Sequence, residues 1–341
     1  DYPNGTVDIS MPDYVPKALL TLRHPAPTRA QHSPHRWAAP VYGQKTQFAT
    51  SDLSPLLDKL GIKRVQQISG LFLYYSRACD PTIIVALNEI SNCQSSPTEH
   101  TKEACNMLLD YLSMHPDATI CYHASDMILA VCSDAAYLVL PNARSRAAGH
   151  FFLTDLAGAT MPTPSPKPNG SIHVLCKTLR SVAASASEAE TGALFLNAQA
   201  AVPLLTTLLE MGHPQPPTGT PLETDSATAV GILRSTVRMK RSKAFDMRYH
   251  WLGDREQQKQ FNLYWAPGST NSADYFSKHH PPAHHRKMRF VYLLRNISKS
   301  SSVTSSARGC VSPSGSPSGF HPPGSHSTED MSRSRSDHSS H

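Results

Sequence analysis

The stretch Met127-Ile-Leu-Ala-Val-Cys-Ser-Asp134 decides the fold. Its first six residues form a short apolar run with strand character, and Ser133-Asp134 ends it. Outward from this run, His150 to Leu153 and Ile172 to Cys176 read as further strands, separated by the proline-rich loop Met161 to Gly170. Ser187 to Ala201 reads as a helix and Leu204 to Met211 as a second one, closed by Gly212. A short strand at Leu222-Glu-Thr224 follows, then helical patterning from Ala227 to about Asp254. Phe261 to Trp265 alternates like a strand, and Ser272 to His279 reads as a last helix. The order β-β-β-α-α-β-α-α-β-α predicts an α/β layer with a mixed sheet flanked by helices.

Upstream the pattern is different. Val65 to Cys79, Thr82 to Asn92 and Thr101 to Met114 carry apolar residues at helical spacing, and Asp80-Pro81 provides a cap and a first-turn proline. These three make a small helical unit, reached through an extended connector at Arg23 to Gln47. From Ser298 onward the chain is Ser, Pro, Gly, Arg and His, too polar to bury a core, and is expected to be disordered. The expected domains are therefore 1–116, mostly helical; 117–290, the α/β layer; and 291–341, the tail.

Composition narrows the function classes. The 341 residues are 39% hydrophobic, enough for a core, while 28 prolines argue against an idealised helical bundle. A formal charge of +6 admits an acidic partner. No stretch reads as a membrane span, and Met127 to Leu140, the best candidate, is interrupted by Asp134. Seven cysteines with no CxxC spacing suggest reduced thiols in an intracellular protein. The chain starts at Asp1 and reads as a piece of something longer.

Four acids stand at the ends of predicted elements. Asp134 ends the first strand, Glu190 sits in the first turn of the Ser187 helix, Asp225 follows the short strand and Asp274 opens the last helix. Singly, each also reads as a cap or a surface acid. Converging on one sheet edge, they would repel one another unless divalent cations neutralise them. Hard oxygen ligands suit Mg²⁺ or Mn²⁺, and two such ions could activate water and stabilise the leaving oxygen of a phosphodiester.

Four blocks carry these acids in order: Cys132-Ser-Asp-Ala-Ala136, Ser185-Ala-Ser-Glu-Ala-Glu-Thr-Gly-Ala-Leu194, Glu223-Thr-Asp-Ser-Ala-Thr-Ala229 and Asn271-Ser-Ala-Asp-Tyr-Phe-Ser-Lys278. They resemble the ribonuclease H domain of Ty1/copia-type retrotransposon Pol polyproteins. Ser242-Lys-Ala-Phe-Asp-Met-Arg-Tyr-His250 resembles the family's segment between the last two blocks. Tyr42-Gly43, Ile68-Ser-Gly-Leu-Phe-Leu-Tyr-Tyr75 and Leu109-Asp-Tyr111 extend the resemblance upstream, so that it covers roughly Val7 to Arg289. It implies a ribonuclease H-like sheet preceded by a reverse transcriptase thumb or connection remnant. It also implies Asp134, Glu190, Asp225 and Asp274 as catalytic metal ligands, and an RNA/DNA hybrid as substrate. Glu190 is preferred to Glu188 because Thr-Gly-Ala-Leu follows it.

Two departures accompany the resemblance. No Tyr-x-Asp-Asp sequence is present, so the polymerase palm motif is absent from this chain and the palm and fingers would lie upstream. Ser269, in Trp265-Ala-Pro-Gly-Ser-Thr270, stands where cellular ribonucleases H often carry a histidine.

Arg234, Arg238, Lys240, Arg241, Lys243 and Arg248 crowd the segment after Asp225, and Arg234, Arg238 and Arg241 would share one helix face. Such a face can track phosphates, or serve simply as a solvated surface. Tyr249, Trp251, Tyr264 and Trp265 could stack on bases or pack in the core. His279-His-Pro-Pro-Ala-His-His285 reads as a surface segment after the last helix rather than as a closed zinc site. Two other functional readings remain: a decayed or repurposed nucleic-acid-binding fragment, and an integrase-type transposase. The order Asp, Glu, Asp, Asp and the lack of a preceding His/Cys module set the transposase last.

Overall fold

The computed structural model describes residues 5–39, 49–50, 52–234 and 243–295. The predicted tail from Ser298, with Cys310, lies outside the described residues, as do Tyr42 and Gly43. Residues through Asn296 form one unit.

Five strands make the main sheet: β3 (Ile128–Leu140), β4 (Arg144–Thr154), β5 (Ser171–Thr178), β6 (Thr220–Thr224) and β7 (Phe261–Trp265). Their order is β5-β4-β3-β6-β7. The first three run as an antiparallel meander, whereas β6 and β7 join parallel to β3 and to each other. A single helical turn, α5 (Leu156–Ala159), follows β4, and the crossover that brings β6 alongside β3 in parallel runs from β5 through α6 (Ala186–Glu210). The expected α/β layer with a mixed sheet flanked by helices is the architecture found.

Strand β3 is central, covered on both faces, and reads as a near-continuous apolar run for that reason. It continues past Asp134 to Leu140, so this acid stands mid-strand rather than at the predicted strand end. The extension comes from β4, which pairs Asp134 with Ala148 and Ala136 with Arg146. On the other side, pairing with β6 covers only Val131 and Cys132. Asp134 therefore lies where the parallel half of the sheet gives out.

One face of the sheet is covered by α6 together with α7 (Ala227–Leu233) and α8 (Lys243–Gln257), around Leu129, Phe151, Leu194, Leu222 and Leu263. The predicted pair of helices in this crossover is a single helix of 25 residues with Pro203 inside it. Burial of Ala198, Ala201, Leu205 and Leu208 holds the axis across the proline. By length and composition α6 could cross a membrane, contrary to the sequence expectation; its apolar character is accounted for here by the sheet beneath it.

The opposite face is covered by α3 (Ile84–Asn92) and α9 (Pro282–Tyr292), whose Ile84, Val85 and Tyr292 meet Cys132, Ala148, Phe152 and Phe276. Helix α9 was not expected. The predicted helix Ser272 to His279 is only the 3-10 turn Asp274–Phe276, because Pro281-Pro282 breaks the chain and restarts it.

The helical unit contains α1 (Tyr14–Thr21), α2 (Lys59–Ala78), α3 and α4 (Glu99–Met114) around Ile68, Phe72, Leu87, Leu108 and Leu112. Two strands absent from the sequence reading, β1 (Thr6–Ser10) and β2 (Thr119–His123), pair antiparallel beside it. Ile120 of β2 and Leu293 beyond α9 enter the same core, so segments on both sides of the expected 116/117 boundary share it. Arg289 of α9 pins the joint: its guanidinium lies 2.7 Å from Asp80 and also donates to the Asp117 carbonyl at 3.0 Å.

The histidine run corrects a further expectation. It opens α9 instead of lying on the surface, and His280 and His285 are buried. His285 bridges the Tyr275 and Tyr111 hydroxyls at 2.6 and 2.8 Å, and burial pushes its imidazole down to about 2.

Candidate metal centre

Each of the four predicted acids reaches one place by a different local device. Asp134 rides on β3, and the residue before it is gripped twice. Asn197 of α6 donates to the Ser133 hydroxyl at 2.9 Å, and Asn271 donates to its carbonyl at 2.8 Å. Asn197 also donates to the Ala148 carbonyl at 2.8 Å, which is why β4 carries a glycine alongside. A Cβ on Gly149 would stand 1.9 Å from the Asn197 amide oxygen.

Glu190 lies in the second turn of α6, not the first, because the helix begins at Ala186 under the Ser185 cap. That register separates the two glutamates. Glu188 receives the Ser185 cap on its own N–H and turns back to accept from the Ala184 N–H at 2.8 Å. Glu190 faces the sheet, where one oxygen accepts from the Ala135 N–H at 3.1 Å and the other, Oε2, is buried without a partner.

Asp225 follows β6, just ahead of Ser226, whose hydroxyl accepts from the Ala229 N–H near the start of α7. Trp265 of β7 donates to the Asp225 carbonyl at 2.9 Å. Gly268 leaves the carboxylate its space, since a Cβ there would lie 2.7 Å from Oδ2. Asp274 opens the 3-10 turn after the Asn271 hinge, and the Lys278 ammonium is hydrogen-bonded to it one turn on.

Oxygens of Asp134, Glu190 and Asp225 all lie within 4.8 Å of one another, the sole such grouping of potential metal ligands among the described residues. Asp274 adjoins them and adds to the repulsion felt by all three. Burial, then the charges of Asp134 and Asp225, push the Glu190 carboxyl up to about 9. Asp134 is pushed up to about 6, mainly by burial, with Asp274 and Asp225 adding to it and the Ser277 hydroxyl and Lys278 opposing. Asp225 is raised by burial and Asp274. Among the described residues, Lys278 is the cation that opposes the charges of Asp134, Asp225 and Asp274. A hard divalent cation fits this donor set: it would neutralise the repulsion and occupy the orphaned Glu190 oxygen.

Of the basic segment, the side chains at its two ends, Arg234 and Arg248, lie among the described residues. Helix α7 ends at Leu233, and past Arg234 the helix face expected to run to Arg241 lies outside the described residues. Arg234 is exposed, donates to the Leu263 carbonyl and lies 3.3 Å from Glu256. Arg248 donates to the Ser181 hydroxyl at 3.1 Å and lies over the Phe195 ring. Arg238, Lys240 and Arg241 lie outside the described residues, as does the side chain of Lys243. Of the aromatic residues, Tyr264 is buried, donating to Glu223 at 2.8 Å, while Trp265 is 47% exposed beside Asp225.

Sequence reading missed the residues that hold the acids. Asn271, Ser277 and Lys278 sat inside a quoted block without a role; Asn197 and Gly268 gave no local signal, because their importance is a contact across more than 40 residues.

The antiparallel meander, the parallel pair and the convergent acids define a ribonuclease H-like α/β fold. No protein-family model matches the chain. Over 207 residues, 60% of its length, it is 25% identical to a retrovirus-related Pol polyprotein from transposon TNT 1-94 of Nicotiana tabacum. The match spans 14% of that polyprotein. This likeness, with the fold, supports a retrotransposon Pol ribonuclease H region. Among solved structures, the chain is similar to the N-terminal RNase H domain of rv2228c from Mycobacterium tuberculosis: 14% identical, covering 49% of this chain and 96% of that one, with a TM-score of 0.32. It is also similar to LC11-RNase H1 in complex with an RNA/DNA hybrid: 13% identical, 44% and 93% covered, TM-score 0.32.

Proposed function

We propose that this chain is a divalent-metal-dependent ribonuclease that hydrolyses the RNA strand of RNA/DNA hybrids, as part of a Ty1/copia-type Pol polyprotein. The observation that carries this reading is the convergence of the buried Asp134 and Glu190 with the half-buried Asp225, and Asp274 alongside, on one end of the parallel pair. Asp134, Glu190, Asp225 and Asp274 would hold two ions of Mg²⁺ or Mn²⁺. Bound there, such ions supply charge neutralisation and a water acidic enough to attack at neutral pH.

The chain's own residues do the rest. The Ala135 N–H fixes one oxygen of Glu190, Lys278 holds Asp274, and Gly268 leaves room for Asp225. Exposed Trp265 supplies a flat apolar surface beside Asp225 for a sugar or base. Arg238, Lys240, Arg241 and Lys243, with Arg234 and Arg248 at the ends of the segment, are read as a phosphate-binding track. Strand choice rests on 2′-hydroxyl contacts and hybrid shape rather than base sequence. An upstream palm and fingers would be the partners in the polyprotein, and an intracellular setting suits the free cysteines.

The test is cleavage of a labelled RNA/DNA hybrid by the full chain with Mg²⁺ or Mn²⁺. The expected products carry 3′-hydroxyl and 5′-phosphate ends. Cleavage that persists at the parent rate in Asp225→Asn refutes the assignment, and salt-dependent hybrid binding with no cleavage in either metal identifies a binding fragment instead.

A further inference from the structure

Where the C-terminal end of α3 meets the end of β5, the surface forms a groove of ≈ 440 Å³. Asn88 and Asn92 of α3, Arg144 at the start of β4, and Lys177, Thr178 and Arg180 at the end of β5 line it. Lys177 and Arg180 are exposed and Arg144 is half-buried. None of the three lies within ion-pairing distance of an acid among the described residues.

The cations stand on a braced floor. Asn92 donates to the Thr178 hydroxyl at 2.8 Å, and Asn88 donates to the Cys176 carbonyl at 3.2 Å, locking α3 to the edge strand. Beneath them Arg146, only 2% exposed, donates to neutral oxygens, Asn88 at 3.3 Å and the Ser277 carbonyl at 3.4 Å. The acid it influences, Glu89, is already paired with His279 at 3.0 Å. A buried guanidinium that ion-pairs with no carboxylate among the described residues adds positive potential under a groove that already carries three cations.

Position ties this groove to the metal centre. Thr178 pairs with Arg146, and Arg146 with Ala136, two residues along β3 from Asp134. At about 4.8 Å per strand, β5 lies roughly 10 Å across the sheet from β3. Side chains two residues apart share a face, so Asp134 and Thr178 stand on the same side. Leu179, the groove's one apolar lining residue, packs with Ala189 and Ala193 on the helix that carries Glu190.

We propose that this groove is a second phosphate-contact site, which holds the sugar-phosphate backbone of a nucleic-acid duplex beside the carboxylate centre. The proposal rests on the nuclease reading and adds a surface to it. The lining offers cations, amides and a hydroxyl with no aromatic platform, which is the chemistry of sequence-neutral backbone contact rather than base readout. It also gives the helical unit a share in substrate binding, since two of the lining residues belong to α3.

The experiment is equilibrium binding of a fluorescent RNA/DNA hybrid to the full chain in chelator, between roughly 50 and 200 mM salt. Arg144→Ala/Lys177→Ala/Arg180→Ala is expected to weaken binding about tenfold or more and to lower the slope of log K against log salt by about 2–3. Asn92→Asp, which sets a carboxylate in the groove, is expected to weaken binding as well. Arg144→Lys/Arg180→Lys, which keeps the charges, should bind like the parent, and unchanged melting temperatures exclude misfolding as the cause. A triple variant with the parent's affinity and slope overturns the proposal, as does a parent with no salt-dependent hybrid binding. Loss of poly-glutamate binding alone in the variants overturns it in favour of an acidic peptide. Because no cleavage enters this measurement, a chain that binds through the groove but never cuts refutes the nuclease reading and leaves the groove standing.

Discussion

Asp80 and Asp134 are both aspartates almost wholly out of solvent, at 0% and 4% exposure, yet their surroundings differ in kind. Asp80 faces the Arg289 guanidinium at 2.7 Å, and its other oxygen takes the Thr82 N–H and hydroxyl. Its acceptors are matched and its charge is cancelled. Asp134 faces Glu190, Asp225 and Asp274, with Lys278 as the countercharge. A polar cluster that only had to hold the fold together would resemble the first. The second is left short of positive charge, and that deficit marks a place built to receive a cation.

The largest effect should come from breaking the balanced cluster. Arg289→Met strands a buried carboxylate and should cost about 3–5 kcal/mol of stability, read by chemical denaturation. If the loss is below 1 kcal/mol, the Asp80 node is not the structural tie described. The opposite behaviour is expected at the centre. Asp225→Asn should leave the melting temperature at or above the parent's while hybrid cleavage falls by about a hundredfold or more, equivalent to roughly 3 kcal/mol of barrier.

A smaller effect tests how finely the acids are placed. Gly268→Ala puts a methyl 2.7 Å from the original position of Asp225 Oδ2 and should cost about 10–100-fold in cleavage rate with little change in stability. Unchanged turnover would show that the loop gives way freely.

The smallest effect concerns protons. The folded chain holds the Glu190 proton up to about 9, against a usual 4.5. The native state therefore binds more protons than the unfolded one across that window. Its contribution to stability is full below about 4.5 and drains away as pH rises toward 9. Metal-free protein should melt lower at pH 8 than at pH 5, and Mg²⁺ should restore most at the alkaline end. Glu190→Gln removes the repulsion and should raise the metal-free melting temperature by a few degrees, about 1–2 kcal/mol, flattening the pH profile. A steeper profile in Glu190→Gln would contradict this account.

The legible parts of the molecule were those where local pattern and tertiary demand coincide. Met127 to Cys132 is apolar because both faces of β3 are covered, Asp225 follows a short strand and Asp274 opens a short turn. Helix α9 was illegible because its buried face uses His285, Arg289 and Tyr292, so no apolar stripe announces it. Helix α6 looked divided because Pro203 is a local breaker, whereas its continuity is set by distant strands. Strands β1 and β2 are short, and β1 is largely exposed, so only their pairing with each other defines them. The assembly of the site depends on Asn197 and Asn271 gripping Ser133 from 64 and 138 residues away, a relation no window of sequence contains.

The Asp80–Arg289 tie also bears on the order of events during synthesis. The two residues are 209 positions apart, so all the chain between them must emerge before the aspartate meets its partner. Helices α2 to α4 can collapse early on local contacts, but their joint to α9 closes only after the chain through α9 has been made. Until then the Asp80 carboxylate must remain hydrated. Hence a nascent helical unit should stay loosely packed and protease-sensitive until α9 docks, and its tight packing should appear in one late step.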